Sequence, residues 1–226
     1  MDRRQNEPPR SMAELDGRAQ SLAGKRLHHL VRELGWTIPS DLGRHKGWMG
    51  QLVEAALGAQ AGNRAAPDFP SLGVELKTIP VDASGRPLET TFVCTVSQRD
   101  PDAIEWATSP AKKKLDHILW VPILVSVEAA EDRMIGSPLR WRPTSAEEAM
   151  LRRDWQEHMD VIRRGLADAI TAHDGQVLQI RPKGASAESQ TWGRDSEDNL
   201  VLTRPRAFYL RRSFTEAMLA RHFALG

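Results

Sequence analysis

The sequence predicts a fold of the α/β or α+β class, with a mixed sheet flanked by helices. Three observations carry this. Apolar residues repeat at helical spacing near both ends and again in the middle of the 226-residue chain. Short alternating or wholly apolar runs cluster between residues 73 and 127, with another at 177–181. No internal repeat appears, and helices, strands, a long helix, a strand and a last helix follow one another.

The elements follow in order. Residues 1–10 are polar with a Pro-Pro pair and are expected to be disordered, leaving 11–226 as a single domain. Ser11-x-x-Glu14 has the capping-box spacing that opens a helix, and a second helix runs to about Leu34, where Gly35 stops it. A basic loop, Arg44 to Gly47, precedes a helix in which Trp48, Met49, Leu52, Val53, Ala56 and Leu57 form one stripe, with Gly58 beyond. Strands are expected at 73–79 and 90–96, separated by a turn with Asp82, Ser84, Gly85 and Pro87, so they read as a hairpin or near neighbours. Residues 118–127 read as a buried central strand, although Pro122 argues for a bulge or an edge. Ser145-x-x-Glu148 is expected to cap the longest helix, whose stripe is Leu151, Trp155, Ile162, Leu166 and Ile170. After a strand at 177–181, residues 184–199 show no periodicity and read as a loop; Ser213-x-x-Glu216 then opens a helix through Phe223.

Composition narrows the function classes. A net charge of +1 announces no global affinity for nucleic acid, so any such surface is local. Three basic clusters qualify: Arg44-His45-Lys46, Lys112-Lys113-Lys114, and the four arginines between 204 and 212; each, read alone, is an ordinary solvated face. The single cysteine, Cys94, excludes an internal disulfide and lies in an apolar run, which favours a buried thiol. No stretch approaches the about 18 apolar residues of a membrane span, and the N-terminus lacks an apolar segment of the signal-peptide kind, so a cytoplasmic protein is expected.

The stretch PDFPSLGVELK, residues 67–77, carries the chemistry. Side chains at i and i+2 of a strand share a face, so Glu75 and Lys77 project together while Val74 and Leu76 turn to the core. If Asp68 folds back to that edge, two carboxylates and the Leu76 backbone carbonyl converge into an oxygen-rich site suited to Mg²⁺. Lys77 would stand beside the water attacking phosphorus, to orient it, help deprotonate it or neutralise charge on the phosphate. An E-x-K alone is common on solvated strands; a Pro-Asp within ten residues upstream sharpens the pattern. Glu54 lies off the apolar stripe of its helix, facing solvent or a cleft.

Asp68…Glu75-x-Lys77 is the signature of the restriction-endonuclease-like nucleases. Beyond it, KGWMGQLVE (46–54), DFPSLGVELKTIPVDASGRPLETTFVC (68–94), QIRPK (179–183) and AFYLRRSFTEAMLARHF (207–223) resemble the MutH family, the nicking endonucleases of methyl-directed mismatch repair. The resemblance runs over residues 12–226, strongest at 44–96 and weakest at 126–134 and 184–203.

The resemblance implies one α/β domain whose two arms flank a DNA-binding cleft, acting as a monomer with Mg²⁺. Asp68, Glu75 and Lys77 fall on the family's catalytic motif, Glu54 on its helix acid near the metal, and Lys114 on a lysine near the scissile phosphate. Lys46 and Gly47 match a loop that enters a groove, and Phe92 a residue beside the bases, although its pattern alone fits strand core equally. Arg181, Pro182 and Lys183 match the base-reading loop, and Tyr209, the only tyrosine, the residue that senses adenine methylation. The implied activity is cleavage of the unmethylated strand 5′ to GATC in hemimethylated duplexes, activated by MutL after MutS finds a mismatch. Two alternatives stand beside it: a restriction endonuclease of the same fold, and a DNA-binding module with a dead nuclease site. The intact Asp68, Glu75 and Lys77 set argues against the second.

Overall fold

The computed structural model describes residues 5–39, 47–60, 66–125, 132–184, 186 and 188–223. They divide into two compact units, one made of residues 1–89, 117–142 and 219–226, the other of 90–116 and 143–218.

In the first unit, α1 (Met12–Leu22), α2 (Leu27–Leu34) and α3 (Trp48–Leu57) accompany a four-stranded sheet. Ser11 caps α1 by accepting from the Glu14 N–H at 3.2 Å, and Gly35 and Gly58 end α2 and α3 with φ of +67° and +81°. Asn6 donates through backbone and side chain to the carbonyls of Ala55 and Ala56 at 2.9 and 2.6 Å, so the chain from Gln5 onward is tied to the end of α3. The sheet places β3 (Ile118–Leu124) against β1 (Glu75–Val81) in parallel, with β4 (Met134–Ile135) and β5 (Leu139–Trp141) antiparallel to β3.

The expected hairpin between the runs at 73–79 and 90–96 does not form. β1 pairs with β3, and β2 (Thr91–Thr95) belongs to another sheet. Each run instead takes one partner far along the chain, β1 at the edge of its sheet beside β3 and β2 at the edge of the other beside β9. Pro122 sits within the central strand, in register with Ile79 of β1. On the other side of β3, β5 pairs with residues 118–120 and β4 with 123–124, so the proline falls where the ladder is interrupted. The core joins Leu15, Leu27, Leu30, Leu52, Leu57, Val74, Leu76, Leu119 and Ile123, all between 0% and 5% exposed.

The second unit holds α4 (Pro110–Leu115), α5 (Ser145–Arg163), a three-stranded antiparallel sheet ordered β2-β9-β6 and a two-stranded ribbon β7-β8. Here β6 is Leu178–Pro182, β7 Thr191–Arg194, β8 Leu200–Thr203 and β9 Arg206–Leu210. The ribbon corrects the expected loop over 184–199, because Thr191 to Arg194 pair residue by residue with Thr203 to Leu200. α5 is capped one residue earlier than the spacing predicts: Thr144 accepts from the Glu147 N–H at 3.2 Å, and Glu147 accepts from the Thr144 N–H at 2.8 Å. The helix also stops before Leu166, which is 47% exposed, so the expected stripe ends at Ile162. The last helix, α6 (Arg212–Phe223), begins one residue before Ser213.

Candidate active site

The segment before β1 folds back on itself. Pro67 and Pro70 restrict the backbone, Gly73 turns it with φ +62°, and Phe69 and Val74 form an antiparallel bridge with N–H···O bonds of 2.8 and 3.3 Å. Asp68 is thereby set beside the strand it precedes. Its Oδ2 accepts the Leu76 N–H at 2.8 Å, the backbone donor of the residue between Glu75 and Lys77. The fold-back on which the sequence reading depended is therefore present.

Glu75 and Lys77 share one face of β1, with Nζ and Oε1 2.6 Å apart. Glu75 is 2% exposed and Asp68 6%, so these carboxylates lie in the protein and not on the solvated strand face that alternation alone describes. Val74 and Leu76 turn the other way into the core, as expected. Glu54 stands on the β1 side of α3: a Cβ added at Gly50 would be 3.4 Å from Thr78 Oγ1 and 3.9 Å from Glu54 Oε1. Glycine at 50 lets α3 approach β1 there. Among the described residues, no group of three or more His, Cys, Asp or Glu side chains forms a metal cage. Asp68, Glu75 and the Leu76 carbonyl would make at most the sparse oxygen set of a cation that keeps its waters.

Of the remaining predicted residues, Gly47 lies in the first unit, Lys46 outside the described residues, and the others in the second unit. Gly47 is the exposed N-cap of α3 with φ +93°, a conformation only glycine adopts without strain. Lys114 is on the last turn of α4, whose N-cap Ser109 accepts from the Lys112 N–H at 3.0 Å. Lys112 itself is bound to Asp116 and Glu148, at 2.5 and 3.4 Å, so that part of the lysine cluster is structural.

Phe92, Arg181, Lys183 and Tyr209 come together on the β2-β9-β6 sheet. Phe92 and Tyr209 are cross-strand partners with ring centroids 5.6 Å apart, near edge-on. The Arg181 guanidinium lies 6.0 Å from the Tyr209 ring, and the Lys183 ammonium 4.7 Å from the Phe92 ring. Arg181 also donates to Thr90 Oγ1 at 3.2 Å. Pro182 ends β6, exposed, opposite Arg206. Burial pushes the Tyr209 phenol above its ordinary value of 10.0, against an opposing pull from Arg181, so it keeps its proton at neutral pH.

Residues 57–154 match the family model described as DNA mismatch repair enzyme MutH. Over 217 residues the chain is 49% identical to the DNA mismatch repair protein MutH of Serratia proteamaculans (strain 568), covering 96% of this chain and 95% of that protein. The MutH proteins of Salmonella paratyphi B and Salmonella typhimurium are each 49% identical over 220 residues, with the same coverage. The chain belongs to the MutH family. The matched span includes Asp68, Glu75, Lys77, Phe92 and Lys114, and the longer alignments span nearly the whole chain.

Two residues that sequence reasoning passed over bear on this sheet face. Asp154 of α5 is 1% exposed, and its Oδ2 accepts three backbone N–H groups at the start of β6, from Gln176, Val177 and Leu178, at 2.8, 2.6 and 2.9 Å. The signal for it was a carboxylate on the buried side of α5, beside Leu151 and Trp155. Gln179 is 4% exposed and stands opposite Tyr209. No periodicity marks it; only the structure does. The four arginines between 204 and 212 separate into distinct roles, since Arg206 is 5% exposed and paired with Asp168 at 2.7 Å while Arg211 donates to the carbonyls of Ala172, Asp174 and Gly175.

Proposed function

We propose that this MutH-family endodeoxyribonuclease nicks the unmethylated strand 5′ to GATC in hemimethylated duplex DNA, as a Mg²⁺-dependent monomer in mismatch repair. The observation that carries the reading is Asp68 folded onto the Leu76 N–H beside the Glu75–Lys77 pair, 2.8 and 2.6 Å contacts in one short stretch. Asp68, Glu75 and the Leu76 carbonyl would hold Mg²⁺, a hard ion satisfied by one or two carboxylates. When bound, the ion supplies a Lewis acid at the scissile phosphate.

The chain's own groups do the rest. Glu75 fixes the Lys77 ammonium at 2.6 Å, so that its other donors are aimed at the reacting centre without a reorganisation cost. From there the Lys77 ammonium orients the attacking water or balances the charge growing on the phosphate oxygens. Water adds to phosphorus, the bond to the 3′ oxygen breaks, and a 5′-phosphate and 3′-hydroxyl remain. Glu54, on the β1 side of α3, adds negative charge near the metal, and Lys114 neutralises the scissile phosphate.

Recognition falls to the second unit's sheet face together with Lys46 and Gly47. Phosphate contacts set register, and Arg181 makes a bidentate contact to guanine at the major-groove edge. Tyr209, flanked by Phe92, meets the adenine amino group and detects its methylation. MutL activates the enzyme, and MutS acts through MutL; the setting is cytoplasmic, and among the described residues no helix is long and apolar enough to cross a membrane. A plasmid-nicking assay with Mg²⁺ or with EDTA tests the core of this reading: nicked circles are expected only with the ion, and nicking that persists in EDTA would overturn it.

A further inference from the structure

The base-reading face holds one polar group that the reading above does not use. Gln179 lies in β6 in register with Tyr209 of β9, so the two side chains stand side by side on the face that also carries Arg181 and Phe92. Its residue surface is 4% exposed. Among the described residues its amide makes no hydrogen bond, yet the amide is not sealed from solvent either. A side chain so buried usually has its amide satisfied by another group of the protein. Leu178 and Ile180, on the opposite face, are 0% and 1% exposed and fill the core. Valine or leucine at 179 would cover the same ground without an amide to satisfy.

An amide held at the floor of a nucleic-acid face has a matching ligand. Glutamine presents a donor and an acceptor in the spacing of adenine N7 and the adenine amino group, the pair exposed at the major-groove edge. The neighbours fit that assignment: Tyr209 stands against one side, and Arg181, two residues along the strand, supplies the fork that suits guanine. Burial also pre-orders the side chain, so little rotamer freedom is lost when a base arrives. We propose that Gln179 is a specificity-determining residue of this face, its amide accepting from the adenine amino group and donating to adenine N7. The inference rests on the proposed reading of GATC.

The test is a double-mutant cycle between protein and DNA. Wild type and Gln179→Met, which keeps the volume and removes the amide, are titrated with a GATC duplex, the same duplex carrying 7-deazaadenine, and a scrambled duplex. Wild type should lose about 5- to 100-fold in affinity when N7 is removed. Gln179→Met should show a similar loss on the unmodified duplex, no further loss on the 7-deazaadenine duplex, and unchanged binding to scrambled DNA. Should the methionine variant fail to fold, Gln179→Glu, which keeps the acceptor and loses the donor, takes its place in the cycle. If the variant remains as sensitive to 7-deazaadenine as wild type, Gln179 does not read the base and the inference falls. A wild type that prefers GATC over scrambled DNA but gives additive losses removes this inference alone. A wild type with no preference removes the underlying reading as well.

Discussion

Glu75 and Lys77 form an ion pair in which the carboxylate is 2% exposed and the lysine side chain 13%. Removing one partner of such a pair leaves a charge with little solvation, a loss of about 3–5 kcal/mol. Activity of the single variants therefore has to be read beside their stability. Asp68→Ala, Glu75→Ala and Lys77→Ala are each expected to abolish nicking while DNA affinity stays within a few-fold, because phosphate contacts elsewhere supply the binding. Gel-shift titration and plasmid nicking on the same folded samples check this; appreciable Mg²⁺-dependent cleavage by any of the three would remove that residue from the site. At Tyr209 the test is a ratio. The phenol is half-buried, touches Phe92 and Arg181, and has a pKa raised above 10.0, so it is protonated across the working range. Being raised, it contributes to stability fully below pH 10 and loses that contribution only as pH climbs through the higher value. A methyl group on adenine N6 would meet the ring and remove one amino hydrogen. Tyr209→Ser should keep activity on unmethylated and hemimethylated GATC and gain activity on fully methylated duplex, narrowing the ratio between them; an unchanged ratio in a folded, active variant would make Tyr209 packing.

Strand β6 shows how an element is held for this work. Asp154 bonds three successive N–H groups at its start, and Gly175, with φ +80°, enters the strand where an added Cβ would lie 1.9 Å from Leu178 O and 2.8 Å from His158 Nε2. Asp154→Ala strands buried donors at Val177 and Leu178 and is expected to lower stability by about 3–5 kcal/mol in urea denaturation; a change below about 1 kcal/mol would show the clamp to be idle. Gly175→Ala should be similarly harmful, since both strain and a backbone clash oppose it. Asp154 also marks the limit of what could be read from sequence. Helix ends with local signals were legible: Gly35, Gly58 and the Ser11 cap act within a few residues. The expected cap at Ser145 missed the observed one at Thr144 by one position, which is set by Glu147, 5% exposed, folding back to the Thr144 N–H. Strand partners were not legible, because pairing of β1 with β3 and β2 with β9 is a long-range matter that alternation does not encode. The Asp68, Glu75 and Lys77 cluster was legible because its spacing and turn residues are local. Gln179 was not, since its burial depends on what covers the sheet.

Over the whole molecule the net charge is +1, so attraction to DNA rests on a few placed cations and not on a global field. Two of the three basic clusters seen in the sequence are in part structural, with Lys112, Arg206 and Arg211 committed to partners within the protein. The number of phosphate contacts should accordingly be small, and the salt dependence of binding shallow for a DNA-binding protein. What the proposed function adds to that is the pairing of one metal-and-lysine chemistry with one reading face. The most direct measurement uses a GATC duplex methylated on one strand, with the two strands labelled differently, incubated with the enzyme, Mg²⁺ and MutL as the proposed activator. A single cut in the unmethylated strand, immediately 5′ to GATC and ending in a 5′-phosphate, is the expected result, with none from Lys77→Ala. Equal cutting of both strands, or cutting away from GATC, would contradict the account.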